Sequence, residues 1–272
     1  MKSIRHEFIK MLFQKRTYIG WAGLFVVPWL VSLAFRLSSG GPHAEGTDPA
    51  DTIMQLIRGN GIYVGLASLF ALATFFLPLL ASMSGSYAVA GEAENGTLRT
   101  TLMQPIHRGT MLLSKWVVAN VYVAIGLLIL AVAGLVAGGA FFGLHPMRLL
   151  TGQTVGIAHG IGLIAACYLF VLLAMAAVVS LAFFFSTLTN SSLTAVAGGL
   201  ILVIIMEALQ AFSQFDFLQP YLFTHYFSAW TNLPRSPVVW DPVAKALVNF
   251  VVWTVGMTGL GYLRFRRKDI LS

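Results

Sequence analysis

Glu207, His159 and Cys167 each stand alone inside a long apolar run. Nucleophilic or general acid–base catalysis within a membrane needs paired groups at one depth: two carboxylates, a carboxylate with a histidine, or a hydroxyl with a base. The apolar runs offer only Glu207 and His159 as candidates, beside hydroxyls with no evident base, so the pattern argues against an intramembrane enzyme. A carboxylate in an apolar span is costly and is by default a functional candidate. Glu207 is therefore assigned to substrate contact or gating. The alternative is that it sits near the outer end of its span and reaches water or Arg235. His159 reads as a hydrogen-bonded structural residue. A single cysteine excludes a disulfide framework and a thiol metal site, and the methionines read as packing rather than metal ligands. No Gly-x-x-x-x-Gly-Lys-Ser/Thr loop is present, so ATP would have to be handled by another chain.

The densest polar chemistry lies elsewhere, in Gly91 to Lys115, GEAENGTLRTTLMQPIHRGTMLLSK. This island carries Glu92 and Glu94, an Asn95-Gly96 turn, Pro105, and the cations Arg99, Arg108 and Lys115. Thr97 is placed to cap a helix starting at Leu98, with Leu98, Leu102, Ile106, Met111 and Leu112 as a partial apolar face. Glu92 and Glu94 precede that start, where carboxylates suit the helix dipole. Pro105 breaks the helix, and a second segment runs into the next span. A solvated loop would serve as a bare connection, but about 25 residues exceed what two spans need. The pattern predicts a short rigid cytoplasmic elbow, suited to passing force from a soluble partner to the spans on either side.

The elements that position this elbow follow from composition. The chain has 272 residues, 57% hydrophobic and 10% charged, with a mean hydropathy of +0.80. Soluble domains carry roughly 25% charged residues, so this is an integral membrane protein, and its long unbroken apolar runs predict helices rather than barrel strands. Met1–Arg16 reads as a basic amphipathic interface helix with Ile4, Phe8, Met11 and Leu12 on one stripe, or as a plain positive-inside anchor. Span 1 is placed at about 18–37 with Pro28 as a kink. An exposed loop follows at 38–60, its end able to form a short helix capped by Asp48 or Asp51. Span 2 is placed at about 61–83 with Pro78 near its end, and span 3 at about 116–142. The stretch 149–206 carries no charge, enough for two spans broken at Ser186–Ser192: span 4 at about 156–185 and span 5 at about 193–212. The aromatic, proline-punctuated segment 213–242 reads as short interfacial or re-entrant helices, before span 6 at about 243–263. The first apolar run exceeds a signal-peptide core, so it reads as a span, not a cleaved leader.

The expected fold is thus all-α: one transmembrane permease domain over 1–272, with six transmembrane helices, an interface helix at 1–16, a cytoplasmic coupling segment at 84–115 and the aromatic segment at 213–242. Of 17 Lys and Arg, twelve fall on the two ends and the island, and five (Arg36, Arg58, Arg148, Arg235, Lys245) on the opposite side. The positive-inside rule then puts both termini and the elbow in the cytoplasm. The +7 net charge is an orientation signal rather than a nucleic-acid one. Gly134 and Gly138 are among several small-xxx-small pairs permitting close helix packing, none of which marks a dimer face. Midplane ionisable groups of the kind that drive ion-coupled transporters are lacking.

Glu92, Glu94, Gly96, Thr97 and Leu98, then Pro105, Arg108 and Lys115, resemble the motif of the ABC-2 type permeases: an acidic pair, Gly-Thr-Leu, Leu-x-x-Pro-x-x-Arg, and a lysine opening the next span. Met103-Gln104, where a second leucine is common, is a mild departure. The interface helix, the span count, the short turn between spans 4 and 5, the aromatic half-helices and the Arg-Arg-Lys-Asp-Ile ending extend the likeness over nearly the whole chain. The resemblance implies a membrane subunit of a bacterial ABC exporter in the inner (plasma) membrane. That subunit would itself bind no cofactor, with ATP and Mg on a partner ATPase and a second permease subunit, identical or a sister chain. It implies that Glu92, Glu94, Gly96, Thr97, Leu98, Arg99, Pro105, Arg108 and Lys115 serve ATPase coupling. Apolar spans suit a drug-, peptide- or lipid-like substrate. The alternative on the same fold is a membrane anchor for a metal- or respiratory-enzyme assembly complex, with an ATP-independent transporter further off.

Overall fold

The computed structural model describes residues 2–37, 60–97, 107–148, 153–235 and 237–266. The proposed cap at Asp48 or Asp51, residues Leu98, Arg99 and Pro105, and the basic ending beyond 266 lie outside the described residues. So does the side chain of Arg108.

The described chain is helical almost throughout. It opens with α1 (Lys2–Leu12), which turns at Phe13-Gln14 into α2 (Lys15–Leu37). The Thr17 hydroxyl fixes that corner by donating to the Met11 carbonyl at 2.8 Å. Pro28 is carried inside α2. Next come α3 (Ile62–Ala73) and α4 (Phe76–Tyr87), bent by 61° at their junction. The sequence puts Pro78 near the end of one span; the structure puts the break four residues earlier. A proline at 78 has no N–H for the Thr74 carbonyl and its ring collides with that carbonyl, so the helix parts at Thr74-Phe75. The ladder resumes with the Leu79 N–H on the Phe75 carbonyl at 3.0 Å.

The short α5 (Ala90–Glu94) follows. Gly96, with φ of +69°, closes it. The Thr97 N–H reaches back to the Glu92 carbonyl and the Gly96 N–H to that of Ala93, the Schellman pattern with glycine at the left-handed position. The Asn95-Gly96 turn of the sequence is therefore a helix stop. After it, α6 runs unbroken from Arg108 to Phe142, about 50 Å at 1.5 Å per residue against about 30 Å of hydrocarbon. Span 3 and the second half of the expected elbow are one helix.

Two dipeptides, β1 (Met147–Arg148) and β2 (Thr154–Val155), pair antiparallel at the outer corner, an element that two-residue strands leave invisible in a sequence. Then come α7 (Ile157–Leu188) and α8 (Ser192–Leu209), parted by three residues at 189–191, inside the polar cluster where the sequence demands a break. Four 3₁₀ turns between Ser213 and Asn232 make up the aromatic segment. The second half of the segment folds inward, with Phe223, Phe227 and Trp230 buried, whereas Phe217 and Tyr221 in the first half are exposed. The last helix is α9 (Trp240–Arg266).

Five of these helices (α2, α6 to α9) are long and apolar enough to cross a membrane, six crossings if the bent α3–α4 pair counts as one. The core lies around α7, which packs against α4, α6, α8 and α9. Seven consecutive residues, Ala177 to Phe183, are buried, as expected of a helix apolar on all sides. On α6, Gly134 and Gly138 cross the start of α3. A Cβ on Gly138 would run into the Gly61 carbonyl, and one on Gly134 would lie 2.7 Å from the Gly65 Cα. These glycines set a close helix crossing within the chain.

Candidate functional site: an ion cluster where the first helix meets the elbow

Lys115 lies about two turns into α6, and its side chain turns inward: the residue is 3% exposed. Its ammonium donates to Glu7 Oε1 of α1 at 2.8 Å and to Glu92 Oε1 of α5 at 2.5 Å. Lys10, one turn on from Glu7, donates to the same Glu92 oxygen. Glu92 is 5% exposed. Two lysines and two glutamates thus join α1, α5 and α6. Charged side chains withdrawn from water need opposite charges beside them; Glu7, Glu92 and Lys115 supply these to one another, and Lys10 adds its charge from the more exposed rim. The pairing also explains the local fold, because the Gly96 stop ends α5 in time to hold Glu92 over the side of α6.

Glu94 has a different task. It is exposed, and its Oε2 accepts the Ser192 backbone N–H at 2.9 Å and the Ser192 hydroxyl. Ser192 is the first residue of α8, whose leading N–H groups have no partner inside the helix. Glu94 therefore caps α8 from outside, at the end of the dipole that favours negative charge, while Ser191 caps from within. Hydrogen bonding to Ser192 holds the Glu94 carboxyl below its ordinary value. The acidic pair thus ties α5 in two directions, through Glu92 to α1 and α6 and through Glu94 to the α7–α8 turn.

Beside the ion cluster lies a cavity of about 290 Å³ bounded by α1, α2, α4, α5 and α6. Arg16 stands at it, its guanidinium 3.7 Å from the centre of the Tyr87 ring and its Nε donating to Gln14 at 2.8 Å. Of the expected interface stripe, Ile4 is 40% exposed, whereas Phe8, Met11 and Leu12 are half-buried on a helix that packs against α6.

The structure therefore brings Glu92 and Lys115 of the motif together, gives Gly96 and Thr97 a stop-signal geometry, and sends Glu94 to another helix. Glu7 and Lys10 escaped the sequence reading. The available signal was Glu7 as the single acid of the first helix, three residues before Lys10 and so on the same side of it. Glu207 sits half-buried near the end of α8, its carboxylate accepting from Gln210 at 3.4 Å; Gln210 also donates to the Thr224 hydroxyl at 2.9 Å. Among the described residues no ion pair joins it to Arg235 and no hydrogen bond joins it to the exposed His159. No group of three metal-ligating side chains occurs among the described residues.

Comparisons with known proteins point the same way. A family model described as "ABC-2 family transporter protein" matches residues 1–270. The protein named "Probable ABC transporter permease protein NosY" in Stutzerimonas stutzeri is 43% identical over 79 residues, 27% of this chain and 29% of that protein. Its namesake in Pseudomonas aeruginosa is 36% identical over 103 residues, 37% of this chain and 36% of that protein. These matches span about a third of each relative. With the family model covering nearly all of it, the chain belongs to the ABC-2 family of transporter proteins, as a multi-pass membrane permease subunit.

Proposed function

We propose that this permease is the membrane half of an ATP-driven exporter whose ATPase is a separate chain, and that α1 with residues 84–115 receives the ATPase's motion. The ion cluster carries the reading. Because Lys115 holds both Glu7 and Glu92, a push on the elbow moves α1, α5 and α6 together, and α6 continues without a break to Phe142. Glu92 and Lys115 are transmission contacts inside the permease rather than surface for the partner to touch. That surface falls to Thr97, Leu98, Arg99, Pro105 and Arg108, with Glu94 linking the movement to α8. Both termini and the elbow face the cytoplasm in this arrangement, and two permease subunits stand over two ATPases. The apolar spans suit a lipophilic cargo carried outward, with Glu207 and its Gln210–Thr224 partners near the outer end as a contact or gate.

The test is co-expression with the ATPase encoded beside this chain, purification of the complex in nanodiscs, and comparison of Arg99→Glu and Arg108→Glu with the unaltered protein. Co-purification with ATPase activity, lost in both variants while the permease stays folded, is the expected result. A folded permease that never captures the ATPase, or variants that bind it unchanged, overturns the coupling role.

A further inference from the structure

The cavity beside the ion cluster is built for more than packing. Glu92 lines it and places one oxygen between Lys10 and Lys115, yet its Oε2 is buried with no hydrogen-bond partner. A buried carboxylate oxygen left without a donor is unfavourable, and here Oε2 is sealed in the cavity wall, so a ligand's donor reaches it only when the Glu92 carboxylate turns. The charges are also graded. The Lys115 side chain, 2% exposed, lies in the inner wall, whereas that of Lys10 is 39% exposed and Arg16 is half-exposed beside Tyr87. Beyond its bond to Gln14, Arg16 gives its remaining N–H groups to no described residue. Met11, Met83 and Val118 supply apolar wall. Arg16 at the rim, with donors to spare, and a Glu92 oxygen further in without one suit a ligand that carries a phosphate outside and a donor-rich cation inside.

We propose that this cavity binds the headgroup of a zwitterionic phospholipid bearing a primary ammonium, the ammonium on Glu92 and the phosphodiester on Arg16 and Lys10. Size supports the headgroup alone. At about 290 Å³ the cavity stands at the lower limit for ligand pockets, roughly 300–1,000 Å³, so the acyl chains stay outside, in the bilayer. Polarity supports the direction of entry, since in such a lipid the phosphate lies between the acyl chains and the amine. The cavity also sits where an amphipathic helix joins the first span, the depth at which headgroups lie. A trimethylated headgroup has no N–H for Glu92, and an anionic one brings no cation to it. The lipid would be a wedge between α1 and the α4–α6 wall. This site rests on the membrane character of the chain and is independent of ATPase coupling.

The experiment is native mass spectrometry of the full-length permease. It is released from nanodiscs containing equal parts phosphatidylethanolamine, phosphatidylcholine and phosphatidylglycerol with identical acyl chains. Retention of the ethanolamine lipid about fivefold or more above the other two, and its fall by a similar factor in Arg16→Gln, is expected from losing one charge-assisted contact. Millimolar soluble glycerophosphoethanolamine is expected to leave the bound lipid in place. Equal retention of ethanolamine and choline lipids by the unaltered protein overturns the site, as does undiminished retention in a folded Arg16→Gln variant. Full displacement by the soluble headgroup overturns the lipid as its source. The ethanolamine–choline comparison needs no variant, so a misfolded Arg16→Gln does not spare the proposal.

Discussion

Glu7 and Lys115 stand 108 positions apart in the chain, and their charges meet at 2.8 Å in a protein that holds few other ion pairs among its described residues. The contact closes the first helix onto the longest one. It converts an amphipathic helix that could merely float at the interface into part of the bundle, and it does so at the level where the elbow attaches.

Removing Lys115 leaves Glu7 and Glu92 facing each other in a buried site with only Lys10 to offset them. Breaking a buried pair from one side costs about 3–5 kcal/mol. Lys115→Met is expected to lower the unfolding temperature in detergent markedly, and Lys115→Met with Glu92→Gln to recover a large part of the loss. A double variant no better than the single would show that Lys115 matters for something other than charge balance.

The Glu94–Ser192 contact predicts a pH dependence whose sign is fixed. Its folded carboxyl titrates below the ordinary value of 4.5 because Ser192 hydrogen-bonds the ionised form. A depressed carboxyl stabilises the fold above its unfolded value and loses that contribution as pH falls through the folded one. The unaltered protein should therefore exceed Glu94→Gln in unfolding temperature at pH 7. The two curves should converge on acidification, as the pH falls below the ordinary carboxylate range and through the lowered value of Glu94. Curves that stay parallel would exclude Glu94 as the titrating cap.

How much of this was legible beforehand can be read from the same residues. The apolar runs, the break at 189–191 and the short helices of the aromatic segment follow from local composition and were visible. The stop at Gly96 was half visible, as a turn. The inward course of Lys115 was not, because a cation beside an apolar run is ordinarily placed in water by its solvation cost, and what reverses that default is a carboxylate contributed from 108 residues away. Glu94 was read as preceding a helix that starts at Leu98, outside the described residues; its bond to the first N–H of α8 was not visible. Both contacts concern charges, whose partners periodicity does not reveal. The bend at Thr74 is the opposite case: Pro78 locates it once the carbonyl four residues back is considered.

The crossing of α3 and α6 yields a stability prediction. A methyl group on Gly138 meets the Gly61 backbone, and backbone cannot give way as a flexible side chain can. Gly138→Ala should destabilise by about 1–3 kcal/mol, as overpacking does. Gly162, in α7, has open space around an added Cβ, and Gly162→Ala should be neutral or slightly stabilising, given the helix propensity gained. Thermal unfolding of the two variants side by side checks the pair. Equal effects would mean that helix propensity rather than close approach governs both sites.

The bend between α3 and α4 is the last feature open to direct test. Pro78 withholds the N–H that the Thr74 carbonyl needs, and steric contact with that carbonyl adds to the break. Restoring the donor by Pro78→Ala should let the ladder close across Thr74-Phe75 and reduce the 61° angle. Spin labels at Leu66 and Met83, one on each helix, report this as a longer separation by double electron–electron resonance, since straightening a bent rod moves its ends apart. Tertiary packing opposes the change, because Leu77, Leu80 and Ala81 of α4 are buried against α7 and its neighbours. The expected result is therefore partial straightening with a broadened distance distribution. An unchanged, narrow distribution would assign the bend to packing on α7, with the proline merely tolerated there.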